Sequence, residues 1–322
     1  MSDVSSSGEL FHRECLICSR PAICRNYGVT SCDACKMFFR RTVLEQLRYK
    51  CLELGMELFP STLGTLDVAS RKNEDFTKIL RDLLAMKSNW YFTLMNFYTE
   101  DDPGLEEILN GEKAVMIKKP LQQPTSREQW TFFSNYILIS LFTNFSFVQK
   151  LTSSDKLALF QSTAAKNYVF CSAMRSVKGK RDRLCTPDGQ EVYPEYFARM
   201  VNVEPRVLRR VCSQLVSRMI ELHVTDEEFV LLLLIYFCNP ALPSLSEDGQ
   251  SVLATDQKMY TSVLFQLCQN EHQRAAPSRL TDLLSLYQVI NKNYEDFSYI
   301  RMVFQFYVPY FKFRKLINDT LQ

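Results

Sequence analysis

The pattern of polar and apolar positions marks out a helical domain that follows two polar stretches. Residues 1–14 hold acids and serines without an apolar run, which predicts a disordered leading segment with no secretory signal. Residues 52–74 mix proline, glycine, serine and threonine without strong periodicity and are predicted to be a linker. Over residues 75–322 apolar side chains recur every three to four positions, so a mostly α domain is expected there.

The strongest helical signal lies at 127–149, where apolar residues surround the helix almost completely. Ser126 followed by Gln129 predicts a capping box at its start, and the apolar surface predicts burial between layers of other elements. TPDG at 186–189 is the clear hairpin signal. Further helices, about ten in all, are expected at 75–98, after a cap at Ser153 or Ser154, and at 194–200, 204–223, 226–238, 250–272, 277–294 and 299–321, with a polar connection at 101–123.

Composition supports a helical protein of a reducing compartment. The chain of 322 residues allows about two domains, and 46% hydrophobic residues is ample for a buried core. Nine glycines fall well below the average usage of about 7%, which favours helices over turn-rich sheet. The longest apolar run, Phe229–Cys238, has ten residues and is too short for a membrane span of about 20. Eleven cysteines without a secretory signal indicate a reducing environment.

Two close cysteine pairs near the start of the chain are the candidate metal ligands. Cys15 and Cys18 form one CxxC, Cys32 and Cys35 form a second, and thirteen residues separate the pairs. Four thiolates at this spacing suit one tetrahedral Zn²⁺ per chain. The alternatives are a disulfide knot, which a reducing compartment disfavours, and a set of reduced structural cysteines. Cys24, inside the loop, has no place in the pattern and is expected to be a spare thiol.

A basic helix follows the second cysteine pair directly, in the segment KMFFRRTVLEQLRYK. The net charge of +2 says nothing about partners, but residues 15–51 contain seven Lys or Arg against two Asp or Glu. A zinc site that fixes a basic helix is one way to present side chains to the DNA major groove. A solvated helix face is the alternative. At 100° per residue one face collects Asp33, Lys36, Met37, Arg40 and Arg41.

The motif CxxC-x13-CxxC followed by KxFFRR resembles the first zinc module of nuclear hormone receptors, and NYGV and SCDACKMFFRR resemble the nematode branch of that family. VQKLTSSDKLALF at 148–160 and VTDEEFVLLLLIYFCNPALPSLSEDGQ at 224–250 resemble the ligand-binding domain of the same family. The resemblance covers about 15–51 and 75–322. It implies a small zinc module followed by a three-layer α-helical ligand-binding domain with one short β-hairpin. A generic helical bundle also explains most apolar positions of the second region.

The second zinc module of the family has no counterpart here, so 15–51 is expected to be a truncated DNA-binding domain. Cys51 matches the first ligand of that module, counting from Cys35. RYKCLELGM around Cys51 also resembles the segment that closes the module. Both matches hold if about thirty family residues are deleted between them. A lone thiolate does not hold zinc, so the other three ligands of that module are missing.

The resemblance also implies roles for individual side chains on DNA. Lys36 and Arg41 match base-contacting positions of the family. Tyr27 and Arg40 match positions that contact the DNA backbone. Asp33, Ala34 and Met37 occupy the positions that set half-site preference, where family members often carry Glu and Gly at the first two. Asp33 and Ala34 therefore leave the DNA sequence preference open.

In the second region the resemblance implies a ligand cavity and a coregulator groove. LINDTL at 316–321 resembles the closing helix of the family, with Asp319 at the place of a glutamate that clamps a partner helix. The lysine of that clamp aligns with Thr143, and Lys156 is its partial replacement. A small apolar ligand is expected to contact one stripe of the helix 127–149, for which plain core is the alternative. The stripe consists of Phe133, Tyr136, Ile137, Ser140, Leu141 and Asn144.

Two functions from different classes are consistent with these features. The first is a zinc-dependent, ligand-regulated transcription factor of the nucleus, whose specific DNA binding is weakened by the missing module. The second is a receptor variant that does not read DNA and binds partner receptors or coregulators. Neither function involves a membrane. An enzyme is not indicated, because the three histidines lie far apart and neither a nucleophile elbow nor a phosphate-binding glycine loop occurs.

Overall fold

The computed structural model describes residues 13–15, 20–22, 25–26, 29–37, 74–120, 125–194 and 203–321. The chain divides into two compact units, residues 1–62 and 63–322. The predicted helix at 194–200 and nearly all of the predicted linker lie outside the described residues. Among the helices that are described, none combines the length and apolar character needed to cross a membrane.

The described residues of the first unit form two small antiparallel sheets and one helical turn. Strand β1 (Arg13–Glu14) pairs with β2 (Pro21–Ala22), and β3 (Arg25–Asn26) pairs with β4 (Val29–Thr30). Arg13 and Glu14, which the sequence placed in the disordered lead, are therefore part of a strand. A helical segment covers residues 33–37.

The second unit is helical, as predicted. Its described residues form ten helices: α1 (Glu74–Asn96), α2 (Leu105–Leu109), α3 (Arg127–Phe142), α4 (Ser146–Gln149), α5 (Ser153–Lys178), α6 (Pro205–Glu221), α7 (Asp226–Phe237), α8 (Glu247–His272), α9 (Ala276–Tyr307) and α10 (Lys315–Thr320). A 3₁₀ turn at Gln273–Ala275 joins α8 to α9.

The helices α5 and α7 form the middle layer of this unit. Every residue of α7 from Glu228 to Phe237 is buried, as its uniformly apolar sequence requires. On one side α1 and α3 pack against each other, with α1 contacting α7 and α3 contacting α5. On the other side α9 packs against α6 and α8 and also reaches α5 and α7. This arrangement confirms the predicted helical fold.

The start of α3 is confirmed, but the predicted helix 127–149 breaks after Phe142. Ser126 Oγ accepts from Gln129 N at 3.1 Å, and Gln129 Oε1 accepts from Ser126 N at 2.9 Å, which is the expected capping box. At the break, Asn144 Nδ2 donates to the Ser140 carbonyl at 2.7 Å and competes with the helical backbone bond. The chain then resumes as α4.

Three further helix ends differ from the prediction. Thr152, rather than Ser153 or Ser154, caps α5, since its Oγ1 accepts from Asp155 N at 3.1 Å. Helix α8 begins three residues before the predicted 250, after the Ser246 cap. Helix α9 continues unbroken to Tyr307, because Phe297 and Ile300 are buried and hold the helix in the core beyond its predicted end at 294.

The segment predicted as a polar connection at 101–123 contains two elements. Helix α2 forms there, and β6 (Ile117–Lys118) pairs with β5 (Phe97–Tyr98) in a two-stranded antiparallel sheet. The predicted hairpin at 186–189 is a turn with Gly189 at φ 86°, closed by the single bridge Cys185–Glu191. In both places the structure differs from the prediction by a strand pairing of one or two residues, which is too short for sequence periodicity to reveal.

Candidate zinc, ligand and coregulator sites

Three of the four predicted zinc ligands converge in the first unit. The Sγ atoms of Cys15, Cys32 and Cys35 lie within 4.8 Å of one another. Zn–S bonds of about 2.3 Å in a tetrahedron place sulfur atoms about 3.8 Å apart, a separation compatible with the grouping of these three thiols. A disulfide joins sulfurs only in pairs, so three sulfurs at one point favour the metal. Cys18 lies outside the described residues.

The backbone around these cysteines is folded to present the thiols. Cys15 N donates to the Arg20 carbonyl at 2.7 Å, which closes the first loop beside β1 and β2. Lys36 N donates to the Cys32 carbonyl at 3.0 Å, so the helical segment 33–37 starts at a metal ligand. Cys15, Cys32 and Ala22 are buried and pack together among the described residues of this unit. A metal held by cysteines at the centre of such a cluster would contribute folding free energy.

The predicted DNA-contacting face is only partly described. Asp33 and Met37 are exposed and Lys36 is half-buried, and all three lie on the helical segment 33–37. Exposure leaves the Asp33 carboxylate and the Met37 thioether available to a partner. The other three predicted contacts lie outside the described residues: Tyr27, Arg40 and Arg41.

The predicted ligand stripe lies mostly in the core of the second unit. Phe133 and Tyr136 are buried and stack with ring centroids 6.4 Å apart, and the Tyr136 hydroxyl accepts from Ala114 N at 2.9 Å. Ile137 is buried, Ser140 and Leu141 are half-buried, and Asn144 is exposed. None of the six residues lines the two cavities described next.

The first cavity, cavity A, has a volume of about 240 Å³ and lies between α3, α5, α9 and α10. Helix α3 reaches it through its first turn, at Arg127, Glu128 and Thr131, rather than through the predicted stripe. Thr131 Oγ1 and the Tyr168 hydroxyl lie 3.2 Å apart at its polar end. Its apolar wall consists mainly of Val192, Phe297, Ile300, Phe304, Phe311, Phe313, Ile317 and Leu321.

The second cavity, cavity B, has a volume of about 590 Å³ and lies between α1, α5, the 185–189 turn and the first turns of α7. It was not anticipated from the sequence. The one available signal was Arg175, a cation inside the otherwise buried stretch of α5 from 167 to 176. Its lining includes both charged and aromatic side chains, among them Lys87, Trp90, Tyr91, Arg175, Lys178, Asp188, Asp226 and Phe229.

Helix α10 is fastened to the segment around α2 by a set of polar contacts, here called the clasp. Asp319 Oδ2 accepts from Leu105 N at 2.8 Å and so caps α2. Lys315 Nζ pairs with Glu107 at 3.1 Å, and Arg314 pairs with Asp102 at 3.3 Å. The Arg314 guanidinium also lies 3.6 Å from the centre of the Phe132 ring. The clasp comprises Asp102, Leu105, Glu107, Arg314, Lys315 and Asp319.

The clasp bears directly on the predicted coregulator residues. Asp319 is directed at α2 within the second unit itself, and Lys156 is half-buried on α5. No ion pair joins these two side chains, both of which are described. Thr143 is the C-cap of α3 and donates its hydroxyl to the Ser140 carbonyl at 2.9 Å. A clamp holds a partner helix between its two charged side chains and needs no ion pair between them, so the coregulator role of Asp319 and Lys156 stays a prediction.

Family comparisons agree with both units. A model described as the ligand-binding domain of nuclear hormone receptor matches residues 125–307. A second, described as a double treble clef zinc finger of C4 type, matches residues 13–56. The first match alone covers more than half of the chain.

Curated relatives match over nearly the full length. Nuclear hormone receptor family member nhr-51 of Caenorhabditis elegans is 36% identical over 96% of this chain and 90% of its own. Family member nhr-52 of the same organism is 33% identical over 96% of this chain and 99% of its own. Member nhr-268, also from C. elegans, is 31% identical, over 95% of this chain and 97% of its own.

Proposed function

This chain belongs to the nuclear hormone receptor family, and from that premise we propose that it is a nuclear, zinc-dependent, ligand-regulated receptor that contacts DNA through one zinc module. Members of the family are transcription factors rather than enzymes. The observation that carries the proposal is the convergence of Cys15, Cys32 and Cys35 immediately before the helical segment 33–37. That arrangement ties a metal site to the side chains predicted to touch DNA.

We propose one zinc per chain, with the second module absent. Residues 13–56, which match the double zinc-finger family, contain six cysteines, whereas two sites of four thiolates require eight. The alignment with nhr-51 extends over 335 positions, more than the 322 residues of this chain, so that relative carries residues without a counterpart here. A deletion within the zinc-finger region is consistent with both facts.

Weak, poorly selective DNA binding follows from a single module. Three cations, Lys36, Arg40 and Arg41, are the proposed contacts. A bidentate base contact discriminates by about 1–3 kcal/mol, too little to select one site in a genome. The second module would also have supplied phosphate contacts and the surface through which paired receptors set half-site spacing.

A salt titration of DNA binding by the full chain tests this proposal. With three contacts, the slope of log K against log salt concentration is expected to be about −3. Lys36→Met removes a cation at a base-contacting position, so it is expected to reduce the magnitude of that slope by about 1 and to relax the remaining sequence preference. Fluorescence anisotropy on labelled duplexes of related and scrambled sequence measures both effects.

Lys78→Met is the matched control, since Lys78 is an exposed lysine of α1 in the second unit. It should leave the slope unchanged. Nanomolar, sequence-specific binding at physiological salt, with a slope near −6 or steeper, would contradict the proposal.

For the ligand, we propose a small apolar molecule in cavity A. The apolar wall supplies burial, and the Thr131–Tyr168 hydroxyl pair supplies a hydrogen-bonding end. The volume of about 240 Å³ lies below the roughly 300–1,000 Å³ of most ligand sites, so the occupant must be small. The burial of Phe133, Tyr136 and Ile137 supports the alternative in which the stripe on α3 is plain core.

A ligand in cavity A would act on α10. Ile317 and Leu321 line the cavity, and the clasp holds the opposite face of the same helix through Lys315 and Asp319. We propose that the coregulator groove forms beside α10, with Lys156 on its rim, and that the clasp holds α10 in place. Asp319 then acts through the position of α10 rather than as one arm of a clamp.

Removal of the Asp319 carboxylate should loosen α10. Asp319→Ala deletes a helix cap, a change that costs about 1 kcal/mol and corresponds to roughly fivefold faster amide exchange. The faster exchange is expected at residues 315–321 and at Leu105, and hydrogen exchange read by mass spectrometry measures it. Asp319→Asn, which keeps an acceptor oxygen, is the control and should change exchange less. Equal exchange in the Ala variant and the parent protein would refute the role of the clasp.

The alternative function, a receptor variant that acts through other proteins, is supported by an exposed apolar strip on α9. Tyr299, Met302 and Phe306 share one helix face and are 46%, 62% and 80% exposed. Exposed apolar residues that cluster on one face are typical of protein interaction sites. Under this alternative the partner is another receptor or a coregulator, and the isolated chain shows no measurable preference between related and scrambled DNA.

A further inference from the structure

We propose that Lys119 is a modification site, whose amine accepts an acyl group from a small acyl thioester. Lys119 follows β6 directly and is half-buried, between the exposed residues Lys118 and Pro120. Its amine lies where this segment meets α1 and α3. Lys119 lines neither cavity A nor cavity B, so the site stands independently of the ligand site proposed above.

The amine of Lys119 is held by one backbone carbonyl and two aromatic rings. Its Nζ donates to the Leu94 carbonyl, in the last turn of α1, at 3.1 Å. The same nitrogen lies 3.2 Å from the centre of the Trp130 ring and 5.8 Å from the centre of the Phe133 ring, both on α3. Leu94, Trp130 and Phe133 are all buried. The amine is therefore enclosed by apolar groups on its inner side, while Lys119 keeps part of its surface in solvent.

These surroundings match an acylated amine better than a charged one. An ammonium has three N–H donors, whereas Leu94 offers its amine one carbonyl. No carboxylate among the described residues forms an ion pair with Lys119, and a partly buried charge without a counterion is costly. An acyllysine is an uncharged secondary amide with one N–H, which the Leu94 carbonyl can accept. Its acyl group would lie against the Trp130 ring, so acylation removes the buried charge and keeps the hydrogen bond.

The same surroundings increase the fraction of Lys119 that is a free amine, the form that reacts. Burial lowers the pKa of Lys119 to about 8, against a smaller opposing effect of the Asp188 carboxylate in the 185–189 turn. From α1 and α3 the amine meets a backbone carbonyl and two rings, none of which titrates. At pH 7.5 about a quarter of the Lys119 amines are then free, against about one in a thousand for an ordinary lysine.

The transfer needs no reactant besides the free amine and the thioester. The electron pair of Lys119 Nζ attacks the acyl carbonyl carbon, a C–N bond forms, and the C–S bond breaks. The departing thiolate takes up the proton that the nitrogen loses, so the products are an acyllysine and a thiol, with no change of oxidation state. A thioester is a suitable donor because a thiol is far more acidic than an alcohol and its thiolate leaves more easily.

Acetylation of the full chain by N,S-diacetylcysteamine, a small acetyl thioester, tests the proposal. Lys118 is the internal control, since it is the neighbouring lysine and is exposed. At pH 7.5 Lys119 is expected to be N-acetylated roughly tenfold faster than Lys118, because its larger free fraction outweighs the lower nucleophilicity of a weaker base. Hydroxylamine removes thioesters from cysteines, and fragment-ion mass spectrometry of the digested protein then measures the two rates separately.

The pH dependence of the rates and one pair of variants separate this explanation from simple exposure. The Lys119 rate should level off above about pH 8.5, whereas the rate of an ordinary lysine still rises at pH 9.5. Asp188→Asn removes the opposing charge and should raise the Lys119 rate at pH 7.5 about twofold, while Asp182→Asn, at an exposed position, should not. Acetylation of Lys119 no faster than that of Lys118 would overturn the proposal and show that the Trp130 ring protects the ammonium. So would a Lys119 rate that still rises at pH 9.5.

Discussion

Replacement of Arg279 by methionine is expected to lower the free energy of unfolding by about 3–5 kcal/mol, because it leaves a buried carboxylate without its cation. Glu228 is wholly buried at the start of α7. Arg279 donates to both of its oxygens, from Nε at 2.7 Å and from Nη2 at 2.6 Å. The same guanidinium donates to the Leu222 carbonyl at 2.6 Å, so one side chain ties α9 to the junction of α6 and α7.

The effect is large because Glu228 cannot move to water without unfolding α7. Its Oε2 also accepts from Thr225 N at 2.9 Å and completes the capping box of that helix. Urea unfolding followed by circular dichroism measures the loss. The control is Arg218→Met, which removes the half-buried arginine of a surface i,i+3 pair with Glu221 and should change the free energy of unfolding by less than about 1 kcal/mol.

A double variant separates the charge effect from loss of packing. Glu228→Leu combined with Arg279→Met removes both charges and should cost less than Arg279→Met alone, since buried pairs are often replaceable by apolar residues of similar volume. A single variant as stable as the parent protein, or a double variant less stable than the single, would show that the charge of Glu228 is not the source of the effect.

Local sequence signals predicted the parts of this fold that depend on local interactions. The Ser126–Gln129 capping box and the apolar run of α7 both appear where expected, since caps and helical periodicity are set within a few residues. The break after Phe142 was missed because apolar residues continue past it, whereas the break combines the local bond from Asn144 to Ser140 with tertiary packing of aromatic rings. The Phe142 and Phe237 rings lie 4.2 Å apart, and Phe145 packs against Phe142 at 5.8 Å.

The functional sites likewise divide into those that local sequence predicts and those that depend on contacts between distant residues. Short cysteine spacing predicted the zinc ligands, of which three are seen to converge. The clasp joins residues more than 200 positions apart, such as Leu105 and Asp319, and no periodicity links them. The predicted ligand stripe and cavity A lie on different parts of α3, because a helix that is apolar nearly all round gives no signal of which face meets a cavity.

Substitution of Cys32 by serine is expected to abolish zinc binding and with it the folded state of the first unit. Cys32 Sγ is one of the three converging sulfurs, and the Cys32 carbonyl also begins the helical segment 33–37 through Lys36 N. A serine hydroxyl is a poor zinc ligand at neutral pH, whereas a thiolate binds zinc strongly. Structural zinc in small modules contributes apparent binding free energies of about 10–16 kcal/mol, which is enough to decide whether the module folds.

Metal analysis of the purified full chain measures the outcome as zinc atoms per chain. The parent protein should hold one and Cys32→Ser none, while Cys24→Ser and Cys51→Ser, whose cysteines lie outside the proposed ligand set, should each retain one. Two zincs in the parent protein, or a loss of zinc in Cys51→Ser, would show that Cys51 belongs to a metal site and that the second module is not absent. Because Lys36 is placed by the Cys32 turn, Cys32→Ser should also remove the DNA binding that remains, and Cys24→Ser should not.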